Sequence, residues 1–181
     1  PTPVDIDTYY TDVTGKLMMP EKLSYGNYEI IEQCTAYGYV LNAEPVSFKV
    51  DGTKTTVTVE KSNMPQKGII KLSKSGEIFF SVIETDGLYQ PVFADKGLVG
   101  AVYEITAAED IITPDGTLRY AKGTVADTVT TDENGNAESG PLYLGKYTVR
   151  ETKAPYGMVL NGTEKTVELT YAGETVEITE T

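Results

Sequence analysis

The chain has 181 residues, with 27 acidic and 15 basic side chains and a net charge of −12. This negative charge argues against nucleic acid and anionic membranes as partners, because both would repel the chain. The sequence contains no His, which excludes Ser–His or Cys–His catalysis and His-ligated zinc, and its single Cys rules out an internal disulfide. We expect no cofactor and no metal.

Composition favours an all-β fold. The 13 Tyr and 17 Gly, together with many Thr and Val, are typical of strands that are joined by tight turns. No apolar run is long enough to cross a bilayer, so we expect no membrane contact by this stretch of chain.

The first predicted element in chain order belongs to an internal repeat. Residues 23–42, LSYGNYEIIEQCTAYGYVLN, align without gaps with residues 142–161, LYLGKYTVRETKAPYGMVLN, and nine of the 20 positions are identical. The offset, 142 − 23 = 119 residues, is the length of a whole domain. The sequence therefore predicts tandem β-sandwich domains rather than a solenoid of short repeats.

The two predicted units differ in length. Residues 60–68, EKSNMPQKG, contain a Pro, a Gly and two Lys at the end of a strand pattern, which is typical of a linker. Residues 1–66 would then be the C-terminal half of a sandwich, and residues 67–181 a nearly complete sandwich that lacks the end of its last strand. Either the first unit is an arbitrary fragment, or another chain covers its apolar face.

Strand patterns continue through the whole second unit. Residues 79–93, FFSVIETDGLYQPVF, predict a β-hairpin that turns at the TDG sequence. In GIIKLSK the last residue, Lys74, lies on the apolar face, whereas Lys71 lies on the other face. In KYTVRE the last residue, Glu151, also lies on the apolar face. The alternation therefore directs an amine and a carboxyl into the core, where an unpaired charge costs several kcal/mol.

The first unit retains part of this pattern. Glu32 occupies the position of Glu151 in the other copy of the repeat, although most of the surrounding positions have changed. Asn63 follows Val57, Val59 and Lys61 at intervals of two residues. In a strand these four side chains share one face, so Asn63 lies on the same face as two apolar residues.

These segments resemble a known family. The repeated segment is similar to the E-box of the B-type repeat domains of Gram-positive collagen adhesins and pilins, also called SpaA-like pilin domains. GLVGAVYEI at residues 97–105 resembles the Leu-x-Gly-Ala-x-Phe segment of that family, with Tyr in place of Phe, and NMPQKGIIKLSK at residues 63–74 resembles its domain junction. The resemblance implies an all-β fold of tandem prealbumin-like, or reverse-immunoglobulin, β-sandwiches, the N-terminal one incomplete.

The resemblance also implies an internal isopeptide crosslink. In such domains a Lys on the first strand bonds to an Asn at the end of the last strand, assisted by a buried acid. On this sequence, Lys74 would be the amine and Glu151 the assisting acid of the second unit, while Glu32 and Asn63 would be the assisting acid and the acceptor of the first. Burial favours a neutral amine, which is the nucleophile, and a protonated acid, which can polarise the amide carbonyl and transfer protons.

Neither predicted crosslink is complete within the printed sequence. Adding the repeat offset to Asn63 gives 63 + 119 = 182, so the acceptor of the second unit is expected directly after Thr181. The first unit has its acid and its acceptor but no Lys on a first strand.

The resemblance implies a stalk or spacer module of a Gram-positive cell-surface adhesin or pilin-like protein, anchored to the wall through segments outside this chain. Its partners would be neighbouring repeats of the same protein, and it would not be a turnover enzyme because each crosslink forms once. One alternative is a module that binds host extracellular matrix or glycans through the 79–93 hairpin, with Tyr89 and Phe93 as contacts. Another is an accessory domain of a secreted hydrolase.

Overall fold

The computed structural model describes residues 4–181, so residues 1–3, which begin the predicted first unit, lie outside the described residues. Residues 4–181 contain thirteen β-strands and no helix. The strands are β1 (Gly26–Ile30), β2 (Val46–Val50), β3 (Lys67–Thr85), β4 (Leu88–Gly97), β5 (Val102–Ala107), β6 (Ile111–Ile112), β7 (Leu118–Tyr120), β8 (Val125–Thr130), β9 (Asn136–Glu138), β10 (Leu142–Tyr143), β11 (Gly145–Lys153), β12 (Lys165–Leu169) and β13 (Thr175–Glu180). The all-β fold class is confirmed.

The described chain divides into two compact units. The first comprises residues 4–33 and 43–62, and the second comprises Cys34–Asn42 and Asn63–Thr181. The segment Cys34–Asn42 joins the second unit through backbone contacts, among them an antiparallel bridge between Tyr39 and Pro65.

The first unit contains one antiparallel pair of strands, β1 and β2. Their register places Tyr28 opposite Phe48, and the two rings stack with centroids 5.5 Å apart. A pair of aromatic residues directly opposite each other stabilises antiparallel strands by roughly 0.2–1 kcal/mol, so this contact favours the observed register.

The second unit is a sandwich of two main sheets. In the first sheet β13 runs parallel to the first half of β3, while β9 and β10 pair with that half antiparallel and β4 pairs with the second half. The other sheet has the strand order β12-β11-β5-β8, and all of its neighbours are antiparallel. β6 and β7 form a separate small pair.

The core of the second unit is built by period-two alternation on these strands. On β3, Ile70 and Leu72 are buried while the intervening Lys71 is exposed, and its amine pairs with Glu138 on the outer face. The same alternation on β5 and β11 buries their apolar residues. The buried apolar residues of the core are Ile70, Leu72, Ala101, Tyr103, Ile105, Ala107, Ile111, Val129, Leu142, Tyr147, Val149, Leu169 and Ile178.

The predicted hairpin is confirmed. It is built from β4 and the second half of β3, which contributes no residue to the core. β3 has 19 residues, and its second half pairs with β4 from Ser75 opposite Gly97 to Thr85 opposite Leu88. The two residues between the strands, Asp86 and Gly87, have φ angles of 53° and 77°. Positive φ at both central positions is the requirement of a type I′ turn, and an Asp-Gly pair meets it.

No helix in residues 4–181 has the length and apolar character needed to span a membrane.

Candidate functional site

Lys74 lies in the core of the second unit. It follows Ile70 and Leu72 on the inward face of β3, and it is only 5% exposed. Among the described residues it is the one buried cation, and no ion pair to its Nζ is formed. The burial that the alternation predicts for Lys74 is therefore confirmed.

The backbone of Lys74 is fixed on one side by a turn and by the end of β4. Its N–H donates to the carbonyl of Gly135 at 2.8 Å, and its carbonyl accepts from the N–H of Leu98 at 2.9 Å. The turn at residues 132–136 lies against the end of β4, so that a Cβ on Gly97 would be 1.9 Å from the backbone oxygen of Asn134. A glycine at position 97 is what allows this close approach.

Glu151 lies in the core on the opposite sheet. It follows Tyr147 and Val149 on the inward face of β11 and is 1% exposed. Its Oε2 accepts a 2.7 Å hydrogen bond from the backbone N–H of Asn161, which lies in the same repeated segment. Its Oε1 is buried and has no hydrogen-bond partner among the described residues. An orphaned buried oxygen is costly, so this atom marks a position where a partner is expected.

A buried acid that the sequence analysis left unused connects the two sheets. Glu180 on β13 is the register partner of Lys74 on β3, and its side chain is 4% exposed. Its Oε2 accepts from the hydroxyl of Tyr103 at 3.3 Å, and its Oε1 pairs with Lys165 Nζ at 3.3 Å. Tyr103 in turn is the register partner of Glu151.

Strand register and one hydrogen bond link four inward residues across the sandwich: Lys74 is opposite Glu180, Glu180 accepts from Tyr103, and Tyr103 is opposite Glu151. Burial raises the pKa of Tyr103, and the carboxyls of Glu180 and Glu151 raise it further. The Tyr103 hydroxyl therefore keeps its proton at neutral pH and acts as a hydrogen-bond donor. Of these groups, a buried amine and a buried acid are the pair that suits acyl transfer to nitrogen.

Period-two alternation contained the signal for the two residues that were missed. Tyr103 lies two residues from both Ala101 and Ile105, and Glu180 lies two residues after Ile178. Residues two positions apart on a strand share a face, so both side chains are expected to point inward with these buried neighbours. Their contact joins residues 77 positions apart and depends on how the sheets pack, which one sequence does not specify.

The predicted residues of the first copy are arranged differently. Glu32 is half-buried and lies just after β1 in the first compact unit. Asn63 belongs to the second compact unit, where its Nδ2 donates to the carbonyl of Val40 at 3.0 Å. The assignment of both residues to a crosslink stays a prediction.

The two predicted ligand contacts lie on the exposed hairpin. Tyr89 is 70% exposed and Phe93 is 55% exposed, and the Phe93 ring meets the ring of Phe79 edge to face at 6.3 Å. In residues 4–181 no group of three or more acidic or cysteine side chains is arranged to hold a metal ion.

Comparison with known families identifies the domain type. The sequence family model for the SpaA prealbumin-like fold domain matches residues 2–65 and 94–181, which is most of the chain. The chain belongs to the SpaA family of prealbumin-like fold domains. The match to this SpaA chain leaves residues 66–93 uncovered, and these contain β3 and much of the β3–β4 hairpin. No curated protein sequence matches the chain.

Two solved structures of Gram-positive proteins match this SpaA chain over most of its length. The Bacillus anthracis TIE protein is 25% identical with a TM-score of 0.58, and the match covers 87% of this chain and 25% of that one. GBS52, the minor pilin of Streptococcus agalactiae, is 21% identical with a TM-score of 0.40, covering 75% of this chain and 51% of that one. The SpaA chain thus spans a quarter of the length of the TIE protein.

Proposed function

We propose that the chain is a structural stalk module of a Gram-positive cell-surface adhesin or pilin-like protein, and that its second unit closes a covalent crosslink through Lys74. The observation that carries the proposal is the burial of Lys74 and Glu151 in the second unit. Within residues 4–181, the sandwich of this SpaA-family chain buries an amine without an ion-pair partner on β3 and an acid with an orphaned oxygen on β11. Burying an amine and a carboxyl without ion-pair partners costs stability, so their presence in the core favours a chemical use.

The proposed reaction is an intramolecular transamidation. The neutral amine of Lys74 attacks the side-chain amide carbon of an asparagine, so that a bond from Nζ to that carbon forms and the bond from that carbon to its amide nitrogen breaks. Glu151, in its protonated form, donates a hydrogen bond to the amide oxygen in the transition state and passes a proton from the amine to the departing nitrogen. Ammonia leaves, and one amide replaces another.

The strand register favours an acceptor directly after Thr181. Ile178 and Glu180 point inward, so position 182 is the next inward position on the line of β13. Glu180 is opposite Lys74, and two further residues place position 182 about 8 Å from Lys74 between Cα atoms. A lysine and an asparagine side chain together span that distance.

Such a bond would join β3 to the end of β13 and close a loop of about 100 residues. In the chain-entropy model a loop of that length stabilises the folded state by about 4.7 kcal/mol. The mechanical effect is larger, because a tension applied along the stalk then passes through a covalent bond instead of the hydrogen bonds of the sheet. The bond forms once per molecule, so the protein is not a turnover enzyme.

Intact mass spectrometry tests the proposal. A form of the protein with an asparagine appended after Thr181 is expected to lose one ammonia, about 17 Da, on folding. Lys74→Ala and Glu151→Ala should each keep the full mass, as should a form with alanine appended in place of asparagine. Lys71→Ala on the outer face of the same strand is the matched control and should lose the ammonia. A full mass in the parent form would refute the proposal.

A second candidate function is supported by the β3–β4 hairpin. Much of it lies outside the family match, and it exposes apolar side chains on both of its faces, among them Phe79, Phe80, Val82, Ile83, Leu88, Tyr89 and Phe93. Exposed apolar patches of this kind are typical of binding surfaces. This candidate makes the hairpin a contact site for host extracellular matrix or glycans.

Binding to immobilised matrix proteins and to a glycan array tests the second candidate. Changing Tyr89 and Phe93 to Ala should abolish binding, whereas Tyr171→Ala, an equally simple truncation of an exposed residue outside the hairpin, should leave it intact. Absence of binding by the parent protein, or equal loss in the Tyr171 variant, would exclude this function.

A further inference from the structure

The amine of Lys74 faces a competitor for its proposed reaction. Glu180 is its direct partner on the neighbouring strand, and both side chains point into the core. A buried carboxylate requires a cation or several donors. If Glu180 paired with Lys74, the amine would be held as an ammonium, which has no lone pair and cannot attack an amide.

The structure shows Glu180 engaged elsewhere. One oxygen is paired with Lys165 Nζ at 3.3 Å, and the other accepts from the Tyr103 hydroxyl at 3.3 Å. Lys165 reaches the same strand a second time, since its Nζ also donates to the carbonyl of Thr179 at 2.8 Å. Both partners of Glu180 come from the opposite sheet, Tyr103 from β5 and Lys165 from β12.

We propose that Lys165 and Tyr103 are positioning residues that hold the Glu180 carboxylate away from Lys74 and so leave that amine free to react. This inference rests on the proposed crosslink and adds a function for a buried acid that the crosslink itself does not need. Lys165 neutralises the charge of Glu180 from the half-exposed edge of the sandwich. The Tyr103 hydroxyl donates a hydrogen bond to the second oxygen from inside the core.

The inference predicts a specific kinetic defect. In Lys165→Met the side chain keeps its apolar stem but loses its charge, so Glu180 loses its ion-pair partner while Lys74 remains opposite it on β3. An opposite charge at close range favours the charged form of a group by about tenfold or more. An ion pair between Glu180 and Lys74 would occupy the attacking amine, so crosslinking should slow by about tenfold or more.

Rescue of Lys165→Met by a second substitution at Glu180 distinguishes a positioning role of Lys165 from a purely structural one. The rate of ammonia loss is followed by intact mass in the form with an asparagine appended after Thr181. Lys165→Met is expected to slow the loss, and the double variant Lys165→Met, Glu180→Gln is expected to restore it to the rate of Glu180→Gln alone. Lys71→Met removes an exposed lysine from β3 and serves as the control, with an unchanged rate.

Each outcome bears on the inference. If Lys165→Met reacts at the parent rate, or if the double variant stays slow, Lys165 does not act through Glu180 and the inference is wrong; the second result would instead indicate that Lys165 fixes the end of β13 through Thr179. In both cases the parent form still loses ammonia, so the proposed function stands. A parent form that keeps its full mass refutes the proposed function itself.

Discussion

The hydroxyl of Tyr103 provides the most direct energetic test of the buried site. Tyr103→Phe removes one hydroxyl from a ring that is 1% exposed and leaves the packing of the ring unchanged. A hydrogen bond to a charged group contributes about 1.5–3 kcal/mol. The 3.3 Å distance to Glu180 is long for an O–H···O bond, which places the expected loss at the lower end, about 1.5 kcal/mol.

Tyr147 provides the matched control. Its ring is also fully buried, and its hydroxyl donates to the neutral carbonyl of Tyr143 at 2.6 Å, so Tyr147→Phe should cost about 1 kcal/mol. The costs of the two variants are close, and a double-mutant cycle is what separates them. Tyr103→Phe should couple to Glu180→Gln by about 1 kcal/mol, whereas Tyr147→Phe should add independently to the same change.

Urea unfolding at pH 7, followed by circular dichroism, measures these free energies in the 181-residue chain. A coupling between Tyr103 and Glu180 below about 0.3 kcal/mol would mean that their hydrogen bond contributes nothing, because independent sites add to within that margin. The account of the buried acid as a group held by Tyr103 and Lys165 would then be refuted.

Three further predictions concern the fold around the site. Gly97→Ala should destabilise the second unit by about 1–3 kcal/mol, because its Cβ would overlap a backbone carbonyl, whereas Gly162→Ala, with open space around it, should be neutral in the same unfolding assay. Ile111→Ala should cost about 2–5 kcal/mol and the exposed neighbouring change Ile112→Ala under about 0.5 kcal/mol; equal costs would contradict the assigned burial. Stability should fall as the pH rises past about 10, by about 1.4 kcal/mol per pH unit for each tyrosine whose pKa is raised by burial, and Tyr147→Phe should make that decline shallower.

The sign of this alkaline effect follows from proton binding. Burial raises the pKa of both tyrosines above the ordinary value, so above pH 10 the unfolded chain loses protons that the folded chain retains. The stabilisation is therefore complete below pH 10 and is lost as the pH rises beyond it. A stability that stays constant between pH 10 and 11 would contradict the burial of the two hydroxyls.

Local rules predicted those parts of the structure that local chemistry determines. The hairpin turn follows from an Asp-Gly pair between two apolar runs, and the burial of Lys74 and Glu151 follows from strict alternation with apolar neighbours. Each of these inferences needs only a few consecutive residues. The roles of Lys74 and Glu151 in a crosslink stay a prediction, because burial alone does not show reaction.

The rest required the packing of the two sheets. Glu180 and Tyr103 each follow the alternation of their own strands, but no local rule shows that their side chains meet. Nor does a local rule show that Lys165, on the edge strand β12 of the other sheet, reaches the same carboxyl. The bridge between Tyr39 and Pro65 likewise depends on long-range packing. Contacts of this kind follow from the fold as a whole.

Single-molecule pulling on the form with an asparagine appended after Thr181 tests the central claim most directly. A bond between Lys74 and position 182 would lock 182 − 74 = 108 residues against extension, about 360 to 390 Å of chain. The account predicts that this length is absent from the extension of the parent form and is recovered in full in Lys74→Ala. Full extension of the parent form, equal to that of the variant, would contradict it.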